Sequence, residues 1–72
     1  MANTTERIAN KARGLAAEHR FTQTRIAHVL GLSRTSVVER FNGRVPFTAT
    51  ELFELAAAMN VPVARFFPDD TS

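Results

Sequence analysis

Residues 22–38 read TQTRIAHVLGLSRTSVV and hold two short helical patterns that meet at Gly31. Gly31 follows the last apolar residue of the first pattern, where glycine suits a left-handed C-terminal cap. Ala27 falls where the two helices cross, and its small side chain lets their backbones approach closely. Apolar side chains recur at helical spacing on both sides of the glycine and form one inward seam, made of Ile26, Leu30, Leu32 and Val37.

The second helix of this pair has its own start signal. Ser33 can accept a hydrogen bond from a free backbone amide near Ser36, so the helix begins at Ser33 or Arg34. Arg34 and Thr35 then lie in its first turn and face away from the seam. A seam, a small crossing residue, a glycine hinge, a cap and a polar outer face are together typical of a helix-turn-helix, which places a helix in the DNA major groove. An ordinary helical hairpin is the alternative.

Capping and stop signals divide the rest of the chain. Asn3 with Glu6 resembles a capping box, and Thr48-Ala49-Thr50-Glu51 is a second one. Asn42-Gly43 is a strong helix-stop signal, and Pro62 suits the first turn of a short last helix. The predicted helices are 4–19, 23–30 with Thr22 as its cap, 34 to about 41, a fourth from Ala49 to its stop at Asn60, and 62–67.

Seventy-two residues without cysteine predict one domain, 1–72, that helix packing alone must hold. We expect a compact all-α fold of five helices with a frayed tail at 69–72. No apolar stretch reaches the roughly 18 to 20 residues that span a bilayer, and no signal-type segment opens the chain, so we expect a cytoplasmic protein. The expected core collects Ile8, Leu15, Ile26, Leu30, Val37, Phe41, Phe47, Leu52, Leu55 and Phe66.

Positive charge is concentrated around the second helix of the motif. The formal net charge is only +2, yet residues 33–45 hold three basic residues, Arg34, Arg40 and Arg44, and a single acidic one, Glu39. Attraction to a polyanion would therefore be local.

A set of residues between Phe21 and Phe67 follows the pattern of a known family: Thr22-Gln23, Ile26-Ala27, Leu30-Gly31-Leu32-Ser33, Val37, Phe41-Asn42-Gly43, Leu52, Leu55-Ala56 and Val61. In these residues the chain resembles the lambda-repressor-like helix-turn-helix family, which includes phage repressor and Cro proteins and Xre-type regulators. The resemblance implies a bacterial or phage transcriptional regulator that binds palindromic operator DNA, usually as a two-fold symmetric pair.

The resemblance also implies residue roles. Arg34, Thr35 and Glu39 match positions that reach base edges. Gln23 matches a position that touches a phosphate and braces the recognition helix, while Asn42 and Thr48 match phosphate-binding positions.

The chemistry of these side chains supports the assignment of base contacts. Arg34 can donate two parallel hydrogen bonds to guanine O6 and N7, although a simple phosphate contact is the alternative. Thr35 offers a hydroxyl to a base or the backbone and a methyl to thymine. Glu39 would accept from a cytosine amino group or orient an arginine, and a solvated carboxylate is an equal alternative.

Further backbone contacts are expected where helices open and where cations point outward. The free backbone amides in the first turn of the helix that Thr22 caps suit a phosphate. Arg25 points out from the first helix of the motif, and Arg44 is either a phosphate contact or plain surface charge. For Asn42 with Gly43, closing a helix is the alternative role.

Two positions depart from the family pattern. Arg40 stands where the family places an apolar residue, so it must extend to solvent or pair with a carboxylate such as Glu18 or Glu54. Val38 lies on a face that the family keeps small or polar.

Other classes of function remain as alternatives. A protein-interaction module, such as an antitoxin or adaptor, would use the same fold to bind a partner, and an excisionase-like protein would bend DNA. No catalytic or metal-binding set is apparent, because His19 and His28 lie on different helices and no carboxylate pairs usefully with either. We expect no cofactor or small-molecule ligand, no enzyme activity, and a weak homodimer through the Phe66/Phe67 region or on DNA only.

Overall fold

Four α-helices and one short 3-10 helix make up the part of the chain that the computed structural model describes, residues 3–68. They are α1 (Thr4–Glu18), α2 (Gln23–Leu30), α3 (Arg34–Phe41), α4 (Ala49–Met59) and a 3-10 segment (Val63–Phe66). The all-α prediction is confirmed for these residues. The predicted tail, 69–72, lies outside the described residues.

Side-chain caps open all four α-helices, as the sequence predicts. Asn3 and Thr48 each form a complete capping box, with Glu6 and Glu51 respectively. Thr22 and Ser33 cap α2 and α3 by accepting from backbone amides three residues on. Each cap satisfies a backbone donor that the helix leaves unpaired and so fixes the residue at which the helix begins.

The prediction of five α-helices is wrong, because the last element is only a four-residue 3-10 helix. Pro62 stands before it in an extended conformation, and its carbonyl accepts from the Arg65 amide at 3.0 Å, but its side chain supplies no cap. A run this short between Pro62 and Pro68 gains too few hydrogen bonds to offset the cost of starting an α-helix.

The core lies where all five elements meet. Of the predicted core residues, the buried ones are Leu15, Ile26, Val37, Phe41, Leu52, Leu55 and Phe66, while Ile8, Leu30 and Phe47 are only half-buried. Small side chains complete the core, because they let the helices approach closely: Ala9, Ala12, Ala16, Ala27 and Ala56 are buried as well.

This packing presents α3 at the surface. α2 packs on both α3 and α4, α1 supports α3, and the 3-10 segment closes the core against α1 and α4. α3 therefore buries Val37 and Phe41 and leaves its opposite face outside. Within residues 3–68, no helix is both long and apolar enough to cross a membrane.

Candidate nucleic-acid interface

The turn between α2 and α3 has the geometry that the glycine predicts. Gly31 adopts a left-handed conformation with φ of 67° and ends α2. The Leu32 amide then donates to the Ala27 carbonyl at 2.9 Å, which closes the end of the helix. Ala27 and Val37 are buried, so the two helices and their turn pack together as one unit.

The outer face of α3 carries the side chains predicted to read bases. Arg34 and Thr35 are exposed in the first turn, just after the Ser33 cap. Among residues 3–68, neither side chain forms a hydrogen bond or an ion pair within the protein. Glu39, one turn further along, retains 36% of its side-chain exposure. These three side chains are thus accessible to a ligand from one side of the helix.

The residues predicted to contact the DNA backbone lie on several elements around this face. Gln23 is half-buried. The other five are exposed: Thr22, Arg25, Asn42, Arg44 and Thr48.

Thr22 and Thr48 have hydrogen bonds that restrict what they can offer a ligand. Thr22 Oγ1 accepts from the Arg25 amide at 3.0 Å, and Thr48 Oγ1 accepts from the Glu51 amide at 3.1 Å. Each hydroxyl therefore already acts as a cap. What remains at these two helix starts is a hydroxyl proton and the other first-turn amides, which suit an anionic oxygen.

Two arginines near the interface have partners within the protein. The Arg25 guanidinium lies 4.0 Å from the centre of the Phe21 ring, a cation–π arrangement that fixes its direction. Arg44 is 72% exposed at its side chain and lies 3.9 Å from the Glu39 carboxylate. An exposed pair at this distance is weak, so Arg44 can leave Glu39 for a phosphate at little cost.

Arg40 forms an ion pair, but with Glu51, so the sequence-based choice of Glu18 or Glu54 as its partner is wrong. Arg40 Nε donates to Glu51 Oε1 at 2.9 Å and Nη2 donates to Oε2 at 3.2 Å. Glu51 lies in the first turn of α4, and the turn after α3 brings that end close to Arg40. Sequence spacing alone does not predict how close the start of α4 comes to Arg40.

The pKa of Glu51 reflects this environment. Burial of the carboxyl raises its pKa, because a charge is disfavoured away from water. Hydrogen bonds from Arg40 and from the Thr48 backbone, together with the charge of Arg40, outweigh burial and hold the pKa below its ordinary value. Glu51 is therefore ionised in the folded protein at neutral pH.

The sequence analysis missed two contacts that hold the end of α3. Arg13 Nη1 donates to the Phe41 carbonyl at 2.8 Å, and Nη2 donates to Asn10 Oδ1. Gly43 has a φ of 75°, and a Cβ placed on it would lie 2.9 Å from Cγ and 3.3 Å from Cα of Glu6. Partners so distant along the chain leave no local signal, and the sequence predicted for Gly43 only a helix stop.

One histidine lies beside a carboxylate, and the other stands at the surface of α2. His19 Nε2 lies 3.4 Å from Glu18 Oε2, and His28 is exposed on α2. Within residues 3–68, no group of three or more histidine, cysteine or acidic side chains is placed to hold a metal ion.

Known proteins share the helix-turn-helix fold described above. The helix-turn-helix family model HTH_3 matches residues 13–66. No curated protein matches the chain. Among solved structures, the restriction-modification controller protein C.AhdI from Aeromonas hydrophila superposes with a TM-score of 0.78 and 21% identity, covering 88% of this chain and 96% of that one. The hypothetical transcription factor NHTF from Neisseria gives a TM-score of 0.80 and 20% identity, covering 94% of this chain and 78% of that one.

At these identities the two structures show a shared fold. The family match is broader, because it spans three quarters of the sequence and includes both helices of the motif. The chain therefore belongs to the lambda-repressor-like helix-turn-helix family of DNA-binding transcription regulators.

Proposed function

We propose that this protein is a sequence-specific repressor, of the Cro or immunity type found in phages and bacteria, that inserts α3 into the major groove of an operator. The observation that carries the proposal is the exposed pair Arg34 and Thr35 at the start of a helix whose opposite face is buried. A helix held in this way presents its first turn to base edges, as recognition helices do.

Arg34 is the main specific contact in this proposal. Its guanidinium has the donor geometry for guanine O6 and N7, and a good bidentate pair contributes about 1 to 3 kcal/mol of discrimination. Thr35 contacts an adjacent base, with its methyl group suited to thymine. Glu39 accepts from a cytosine amino group or orients an arginine.

Phosphate contacts flank these bases on both sides. Thr22, Gln23 and Arg25 stand at the start of α2, where their side chains and the Gln23 amide contact the phosphates on one side of the bases. Beyond the end of α3, the exposed side chains of Asn42, Arg44 and Thr48 contact the phosphates on the other side. Such contacts fix the register of the protein on the duplex without reading sequence.

A palindromic operator and two-fold pairing on DNA complete the proposal. Phe66 is fully buried, so it belongs to the core and is not available as a dimer contact. Phe67, 46% exposed, is the side chain of that region that remains for pairing. Contact through so little apolar surface supports a dimer that is weak in solution and forms mainly on the operator, in the cytoplasm of the bacterial or infected cell.

Selection from random duplex DNA tests the proposal. The protein is expected to enrich one palindromic sequence, and an Arg34→Ala variant is expected to lose the preference at one base pair in each half-site. Enrichment of no sequence by the folded protein would contradict DNA recognition and favour a protein-binding role. An enriched sequence without two-fold symmetry would contradict pairing alone.

A further inference from the structure

Arg40 and Glu51 form a polar link between α3 and α4, two helices whose apolar side chains share the same core. No Cα atom of α3 lies within 8 Å of a Cα atom of α4. The two-pronged ion pair spans this gap, and the Arg40 and Glu51 side chains are only 14% and 12% exposed. Shielding from water and parallel hydrogen bonds make this geometry more specific than that of a surface pair.

The pair is continuous with the hydrogen bonds at both helix ends. Arg40 Nη1 donates to the Ser36 carbonyl at 3.1 Å, which ties the guanidinium to α3 itself. Glu51 Oε1 also accepts from the Thr48 amide at 3.0 Å, which ties the carboxylate to the start of α4. The end of α3 and the start of α4 are therefore joined through one carboxylate.

We propose that Arg40 and Glu51 are positioning residues, which set the angle of α3 against the start of α4 and thereby the fit of the protein to its operator. This inference rests on the proposed DNA-binding function. It assigns the pair no contact with DNA.

Leverage along the helix gives the reason. Arg34 lies six positions before Arg40, about 9 Å along the helix axis at about 1.5 Å per residue. A tilt of about 10° at the Arg40 end therefore moves Arg34 by roughly 1.5 Å, which is enough to break a bidentate hydrogen bond. The link also fixes Arg34 relative to Thr48, so base and phosphate contacts form together.

A direct phosphate contact by Arg40 makes the opposite prediction. Removing the Glu51 charge would then free Arg40 and reduce repulsion of DNA, so affinity would rise. If the pair positions α3, the same change lowers affinity for the operator. The sign of the effect of Glu51→Gln separates the two roles. Glutamine is also accepted at this position of a capping box, so the start of α4 is retained.

The experiment measures binding of the full chain to the selected operator and to random duplex DNA, with urea unfolding of each variant. Glu51→Gln is compared with Glu18→Gln, which removes the same charge from an exposed pair with Arg65, 3.8 Å away. We expect Glu51→Gln to weaken operator binding about tenfold and random binding less than about twofold. Glu18→Gln is expected to weaken neither.

Two further variants keep the test decisive if Glu51→Gln unfolds the protein. Arg40→Met with Glu51→Gln leaves the net charge unchanged and removes both partly buried charges, a replacement that folded proteins commonly tolerate. It is expected to show the same loss of operator binding. Arg40→Lys keeps the charge but not the two-pronged geometry, and an intermediate loss is expected.

The outcomes are distinct. Unchanged or stronger operator binding by folded Glu51→Gln overturns the positioning role, as does wild-type binding by the folded double variant or by Arg40→Lys. An operator that every variant binds equally overturns only this inference. A wild-type chain that enriches no duplex at all overturns the proposed function itself.

Discussion

The two ends of α3 differ in what holds them. At the first turn, Arg34 and Thr35 are exposed, and the Ser33 cap secures only the backbone. At the last turn, Arg13 donates to the Phe41 carbonyl, and Arg40 is paired with Glu51. The first turn of α3, with Arg34 and Thr35, is thus the free end of the helix. The last turn, with Arg40 and Phe41, is the fixed end, because contacts from α1 and α4 hold it.

Within the eight residues of α3, the last turn contributes to the stability of the fold and the first turn is left for DNA recognition. A side chain that reads bases must have unsatisfied donors until DNA arrives, so it contributes little to the fold. The precision of that side chain has to come from elsewhere on the same helix. Substitutions at the fixed end should therefore unfold or misalign the protein, whereas those at the free end should change binding alone.

Phe41→Ala is expected to have the largest effect. Phe41 is 6% exposed and its ring centre lies 6.0 Å from that of Phe47, so truncation leaves a cavity under the fixed end. The expected cost is about 3 to 5 kcal/mol, comparable with the whole stability of so small a domain. Far-ultraviolet circular dichroism should show a largely unfolded chain at room temperature. A cooperative transition near that of the wild type would show that the fixed end is not a core position.

Gly43→Ala tests the same end through the backbone. The left-handed conformation costs an alanine about 1 to 2 kcal/mol, and the contact of its Cβ with Glu6 adds to this. We expect a loss of about 2 to 3 kcal/mol in urea unfolding. Gly14→Ala is the matched control, because a Cβ there meets no atom within 4 Å and α1 gains helix propensity. Equal destabilisation by both would contradict the close approach at Gly43.

Arg34→Ala tests the free end. Stability should change by less than about 0.5 kcal/mol, because Arg34 is exposed. Operator discrimination should fall by about 1 to 3 kcal/mol at one base pair. Competition binding against single-base operator variants measures this, and a uniform loss across all sequences would reassign Arg34 to a phosphate.

Acidification should have the smallest effect, and it reports on the fixed end. The folded-state pKa of Glu51 lies below the ordinary value of 4.5, so its stabilising contribution is complete above that pH. The contribution is lost as the pH falls below 4.5 and through the lower folded value. Urea unfolding should therefore show the difference between the wild type and Glu51→Gln shrinking as the pH is lowered from neutral to about 3. A difference that does not change with pH would show that Glu51 keeps its ordinary pKa.

The sequence predicted most of the local structure, because the signals for it lie within a few residues. Caps at Thr22, Ser33 and Thr48 depend on a side chain reaching an amide three residues on, and all were confirmed. The left-handed turn at Gly31 was predicted for the same reason. The prediction of an α-helix over 62–67 was wrong, because the start signal at Pro62 does not show how few hydrogen bonds so short a helix can gain.

Sequence by itself thus determined where the α-helices begin, which faces turn inward, and which side chains of α3 are polar and outward. Only the tertiary structure decided which helices meet and which distant partners join at the end of α3. Arg13 meets Phe41 across 28 positions and Arg40 meets Glu51 across 11. Capping and periodicity are short-range and can be read along the chain, whereas these contacts depend on the packing of the whole core and exist only once it has formed.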